Sequence, residues 1–170
     1  MNSPVESVFT HIVITGPSKS IANVYRSQLT ILKQSLPLLR STVVSCVADP
    51  DGQRVGSGGG TLNALQFLRS NLNVGSLQAC RILIIHSGGE SRRAPMYSLI
   101  GKAWTTINSD MNGEDIASPL ALLIKEISTF CESIPAGTVV VASSDVMLDI
   151  AISSQPIDFD NNSVYVVTVP

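Results

Sequence analysis

His11-Ile12-Val13-Ile14-Thr15-Gly16-Pro17-Ser18 is the stretch that decides the fold class. Ile12 to Thr15 are all β-branched, and the run is too short for a helix and too apolar for an exposed strand, so it reads as a buried strand. Gly16-Pro17 breaks it. Ser18 or Ser20 can then cap a helix reaching about Gln34, with Ile21, Val24, Tyr25, Leu29 and Leu32 spaced by three and four. Pro37 ends that helix, and Thr42 to Ala48 repeats the strand signal. The alternation continues down the chain. A helix is expected from about Thr61 to Leu72, a strand over Ile82 to His86, and a helix from Pro119 to about Glu132 with proline at its favoured first position. Further strands are expected over Thr138 to Ala142 and Ser163 to Val169, with a short helix over Val146 to Ile152 and irregular chain over Glu90 to Asn112. Apolar strands alternating with helices predict a mostly parallel α/β sheet covered on both faces. Ligands of such sheets sit beyond the carboxyl ends of the strands.

Composition narrows the function. The 170 residues hold 11 Lys and Arg against 13 Asp and Glu, a net charge of -2. Charged residues are 14% and apolar residues 44%, with a mean hydropathy of +0.29 and a pI near 5.6. That excludes intrinsic disorder and gives no basic surface for nucleic acid. The length predicts one domain over residues 1–170. No apolar run approaches the roughly 20 residues that span a bilayer, and Met1 to Thr10 lacks the pattern of a secretory leader. Cys46, Cys80 and Cys131 have no paired spacing and read as small apolar residues in a reducing compartment. The expected location is therefore the cytoplasm, with neither nucleic acid nor membrane as partner.

Three loops leave strand ends with unusual chemistry. Gly56-Ser57-Gly58-Gly59-Gly60-Thr61 brings four glycines ahead of a helix. Backbone amides there can meet a phosphate, helped by the helix N-terminus and by Thr61 and Asn63. The other reading is a flexible turn with Thr61 as helix cap. The spacing is not the dinucleotide fingerprint, because Thr61 holds the last glycine place, and no Walker lysine follows. In the second loop, His86-Ser87-Gly88-Gly89-Glu90-Ser91-Arg92-Arg93-Ala94-Pro95, glycines are followed by Arg92 and Arg93, with Gly101-Lys102 beyond. Three of the 11 basic residues beside a glycine turn suit a triphosphate that loses pyrophosphate; the alternative is a solvated surface loop. In the third loop, Ser143-Ser144-Asp145, the carboxylate either holds Mg2+ or caps the next helix. His86 reads as a hydrogen-bonded strand-end residue more than a general base. Trp104 reads as loop packing more than a base-stacking platform, and Asp49 and Asp51 as turn residues more than a metal pair.

These stretches resemble the fucose-salvage proteins: L-fucokinase, GDP-L-fucose pyrophosphorylase (fucose-1-phosphate guanylyltransferase), and enzymes that fuse the two. The resemblance is carried by Asp49 to Leu65, Ile82 to Pro95, Gly101-Lys102-Ala103-Trp104, and Val141 to Val146. It implies a Rossmann-like nucleotidyltransferase sheet, here incomplete. It also implies GTP (or ATP) and a sugar phosphate as substrates, and Mg2+ as cofactor. Gly88, Gly89, Arg93, Pro95 and Lys102 take the places of the wider sugar-nucleotidyltransferase pattern. Arg93 and Lys102 would contact phosphates, and Asp145 matches the strand-end aspartate that binds Mg2+. Ala94 stands where leucine is common, and Thr105-Thr106-Ile107-Asn108 where a proline-containing segment is usual. The family's chains continue into sugar-binding elements and a β-helical part, and its kinases add a GHMP-type domain. No Pro-x-x-x-Gly-Leu-Gly-Ser-Ser ATP loop occurs here, so the expectation is an N-terminal piece of a longer architecture. Nucleotidyl transfer, a fucokinase module, and a catalytically inert fragment are the three functions this leaves.

Overall fold

The computed structural model describes residues 7–71, 76–87, 101–105, 107–108, 116–146, 148 and 164. Strand β1 (His11–Gly16) leads into helix α1 (Lys19–Ser35), β2 (Val43–Ala48), α2 (Gly56–Asn71) and β3 (Ile82–His86). A two-stranded antiparallel ribbon, β4 (Ile107–Asn108) with β5 (Ile116–Ala117), then precedes α3 (Pro119–Phe130) and β6 (Val139–Ser143). The main sheet runs in the order β2-β1-β3-β6, and every pairing in it is parallel. The predicted helix over Val146 to Ile152 and strand over Ser163 to Val169 lie outside the described residues.

The order follows from chain economy and handedness. The chain leaves β1, crosses to β2 on one side, and then returns past β1 to β3 on the other. A crossover between parallel strands is right-handed, so reversing direction puts the two helices on opposite faces. Two separate cores bear this out. Ile12, Ile14, Leu83 and Ile85 pack with Tyr25 and Leu29 of α1 and with Leu120 and Ile124 of α3. Val13, Ile82 and Ile84 point the other way, onto Ala64 and Leu68 of α2. The alternation is the two-residue period of a strand.

Local chemistry sets the helix ends. Ser18 caps α1 by accepting a hydrogen bond from the Ile21 amide, and Ser118 caps α3 by accepting one from the Ala121 amide. In α1 the buried stripe is Ala22, Tyr25, Leu29 and Leu32. Val24, expected inside, faces solvent, because Ala22 and Tyr25 already occupy that part of the stripe. The largest departure is α2, which begins at Gly56 and not near Thr61. The glycines are therefore the first turns of the helix, not a loop ahead of it, and Thr61 is not its cap. Gly56 alone among them has positive φ, at 70°, which supplies the bend into the helix.

Among the described residues β6 is an edge strand. Val140 and Ala142 join the α1/α3 core, while Val139 and Val141 remain 38% and 49% exposed on the α2 side. Replacing Ile84, wholly buried, with alanine should cost about 2–5 kcal/mol. Val141→Ala should cost about 0.5 kcal/mol, and urea unfolding midpoints separate the two.

Candidate functional site

The carboxyl ends of β1 and β3 are neighbours, but the chain leaves β1 for β2 on one side and β3 for β6 on the other. That divergence opens a crevice, the usual ligand position of an open parallel sheet. A cavity of about 250 Å³ lies there, lined by Thr15 and Gly16 from β1, Asp49 after β2, Gly60 of α2, and His86 and Ser143 at the ends of β3 and β6. Arg54 and the start of α2 at Gly56 and Ser57 complete its wall. Backbone bonds tie the rim together. The Asp49 amide donates to the Gly16 carbonyl at 2.8 Å, and the Ser144 amide to the His86 carbonyl at 3.0 Å. Asn63 of α2 donates through Nδ2 to the Ala48 carbonyl at 2.9 Å.

His86 occupies the centre. Its Nδ1 lies 3.1 Å from Thr15 Oγ1, and its Nε2 lies 3.0 Å from Thr61 Oγ1. Burial lowers its pKa, and the nearby Asp49 charge works against that shift. The ring therefore prefers the neutral form, in which one nitrogen donates and the other accepts. Hydroxyls suit both roles. This is the hydrogen-bonded strand-end histidine that the sequence suggested.

The glycines of α2 differ in purpose. A Cβ on Gly60 would sit 3.1 Å from His86 Cε1 and 3.4 Å from Nδ1. One on Gly59 would come within 2.7 Å of Val55 Cβ, whereas one on Gly58 would meet nothing within 4 Å. Only Gly60 lets the helix approach the imidazole. Gly58 leaves open backbone at the helix start, where amides and helix dipole favour an anion.

Residues 74–170, more than half of the chain, match the family described as the fucose pyrophosphorylase domain. The chain belongs to that family. Among its relatives, the mouse "Fucose-1-phosphate guanylyltransferase" is 32% identical over 151 residues, 88% of this chain and 25% of its own length. The human protein of the same name is 32% identical over 139 residues, 81% of this chain and 22% of its own. The Arabidopsis thaliana "Bifunctional fucokinase/GDP-fucose pyrophosphorylase" is 31% identical over 135 residues, 68% of this chain and 13% of its own. The chain thus spans a quarter or less of the length of these relatives. No solved structure matches it.

The fold brings together some of the residues singled out from sequence. Gly56, Gly60, His86 and Ser143 converge on the cavity, and Thr61 reaches it through His86. Gly88, Gly89, Arg92 and Arg93 lie outside the described residues. Lys102 is placed through its backbone, in a single 3-10 turn to Trp104. A link to the rim exists there. A Cβ on Gly101 would come within 2.6 Å of Tyr25 Oη, and one on Gly16 would lie 3.6 Å from Tyr25 Cδ2. One tyrosine ring therefore separates the Gly101-Lys102 backbone from the cavity wall. Trp104 packs on that ring, with centroids 5.6 Å apart, as loop packing and not as an open stacking face.

Asp145 is exposed, two residues beyond β6, and accepts a hydrogen bond from Ser143 Oγ at 2.5 Å. Asp145 does not line the cavity and meets its wall only through Ser143; a lone exposed carboxylate would suit a Mg2+ that draws its other oxygens from water and substrate phosphates. Among the described residues no three His, Cys, Asp or Glu converge as a protein cage, and Pro50–Gly52 makes Asp49 and Asp51 part of a tight turn. Cys46, Cys80 and Cys131 are buried and free; burial pushes the Cys46 thiol up to about 12. Among the described residues no helix is long and apolar enough to cross a membrane. Thr15, Arg54 and Ser57 are cavity residues that the sequence reading missed. Thr15 was legible in principle, as a hydroxyl at the carboxyl end of the first strand.

Two outcomes follow from this geometry. Gly58→Ala should stabilise the fold by about 0.5–1 kcal/mol, as glycine removal inside a helix does. Gly60→Ala should destabilise by about 1 kcal/mol or more, since the imidazole is held from both sides and cannot yield; urea titration reads both signs. The second concerns pH. A histidine whose folded pKa is depressed binds fewer protons when native. Stability is then fully present above the ordinary value of about 6.5 and falls as pH drops below it. Urea midpoints between about pH 7.5 and 5.5 should decline, and His86→Gln should flatten part of that slope.

Proposed function

We propose that this chain forms the nucleotide-handling part of a sugar-1-phosphate nucleotidyltransferase of fucose salvage. The reaction joins fucose 1-phosphate and GTP into GDP-fucose and pyrophosphate. One observation carries the reading: in a member of the fucose pyrophosphorylase family, the cavity lies at the point where the parallel sheet reverses and a glycine-rich helix starts. The relatives also favour nucleotidyl transfer over phosphorylation of the sugar. Two are named as guanylyltransferases alone, and the plant protein carries pyrophosphorylase beside kinase in its name. The activity common to these names is nucleotidyl transfer.

In this reading a phosphate oxygen of the sugar phosphate attacks the α-phosphorus of GTP. A new P–O bond forms, the α–β bridge breaks, and its electron pair leaves on pyrophosphate. Such a step needs alignment and charge stabilisation more than covalent help. Arg93 and Lys102 are the catalytic cations of the proposal, with Arg92 beside them. The amides of Gly56, Gly58, Gly59, Gly60, Thr61, Gly88 and Gly89 hold the nucleotide, and Asp145 holds Mg2+. The metal, when bound, neutralises phosphate charge. The partner is the remaining chain of a longer architecture, which supplies the sugar site.

Arg93→Ala and Lys102→Ala, each in the complete enzyme, should lower turnover by about 10²–10³-fold, the usual loss for one charge-stabilising donor. Pyrophosphate release from GTP and fucose 1-phosphate measures it. Undiminished release in both variants would overturn the assignment.

A further inference from the structure

We propose that His86 is a positioning residue whose ring ties the carboxyl ends of β1 and β3 to α2. It thereby fixes the glycine-rich first turns of that helix where they meet the phosphates of the nucleotide. The identity of the ligand rests on the nucleotidyl-transfer reading; the latch does not.

The need for a latch comes from composition. Four of the first five residues of α2 are glycine, the residue that loses most backbone freedom on folding. Gly56 to Gly58 are exposed, Gly59 is half-buried, and Gly60 is the first buried position of the helix. A Cβ on Gly56 or Gly58 would touch nothing, so no packing contact of theirs sets the height of the turn. What anchors this end, among the described residues, is a small set of contacts one turn further in. Thr61 Oγ1 bonds His86 Nε2 at 3.0 Å, Gly60 comes so near the ring that a Cβ there would lie 3.1 Å from His86 Cε1, and Asn63 reaches the Ala48 carbonyl. The imidazole is itself aimed by Thr15 Oγ1 at 3.1 Å. Two of the three anchors therefore pass through one ring, and that ring is held on its far edge by β1. An anion held by helix amides senses small shifts of those amides, because its hydrogen bonds weaken steeply with angle.

The two edges of the ring can be tested apart. A glutamine amide reaches the position of Nε2 and can still meet Thr61. An asparagine amide reaches only the position of Nδ1 and meets Thr15. Thr61→Val removes the helix-side hydroxyl at constant shape. The full chain and the variants Thr61→Val, His86→Asn and His86→Gln are titrated with GTP and Mg2+ by calorimetry. Hydrogen exchange of the Ser57 to Gly60 amides is followed in parallel. Thr61→Val and His86→Asn should weaken GTP binding and speed that exchange, each by about tenfold, the upper effect of one lost hydrogen bond. His86→Gln should restore both to within about threefold of the parent.

Equal behaviour of the Asn and Gln variants overturns the proposal, because a merely structural histidine does not distinguish its two edges. It is also overturned if exchange quickens while GTP affinity holds in every variant. If the parent chain binds no GTP, the nucleotide reading fails. The exchange data then decide the latch alone, and unchanged rates in Thr61→Val sink it. Should His86→Asn fail to fold, Thr61→Val against the parent carries the same decision.

Discussion

Strand β1 is pinned along both edges, by β2 on one side and β3 on the other, in parallel register from His11 onward. Ile12, Val13 and Ile14 are wholly buried, so neither face of the strand meets water. A strand buried on both faces needs cover on both, and handedness allows this only if the chain reverses direction across β1. The reversal puts α1 on one face and α2 on the other, and α3 packs into the α1 core. It also leaves Thr15 and His86 side by side where the chain diverges. The cavity is thus a consequence of covering β1, and the chemistry at its rim comes from whichever residues end the strands.

That dependence explains what the sequence could and could not convey. Strand β3 was legible to the residue, because Ile82 to Ile85 form an unbroken apolar run closed by His86. α3 was legible because Pro119 sits at the first helical position that proline favours. α2 was misread at its start because glycine signals a turn in local statistics. Here the helix is imposed by tertiary contact: Ala64 and Leu68 are buried against the sheet, and Gly60 must fit under an imidazole. The exposure of Val24 was hidden for a related reason. Spacing by three and four fits two adjacent stripes on one helix, and only packing against β1 and β2 selects between them.

The site was legible in type more than in arrangement. His86 stood out as a polar residue closing an apolar strand, and its two threonine partners, Thr15 and Thr61, lie 71 and 25 positions before it in the chain; no local pattern links them. Thr15 looked like a β-branched strand residue, and that is also what it is. Its hydroxyl becomes informative only when β3 is known to lie beside β1. Arg54 and Ser57 lay inside the Asp49 to Leu65 stretch without being singled out, and they enter the wall beside the turn at Pro50–Gly52.

The glycine cluster shows why one composition can serve several ends. Gly56 turns the chain with a positive φ, Gly59 clears the Val55 side chain, and Gly60 admits the imidazole. Those three are explained by the fold itself. Gly58 is not: its φ is ordinary for a helix and the space around it is open. A residue with a Cβ would strengthen the helix there at no steric cost, so the fold gives no reason for glycine at that position. The nucleotide-binding proposal supplies a reason the fold does not: a phosphate approaching bare backbone amides would need that space kept free of a side chain.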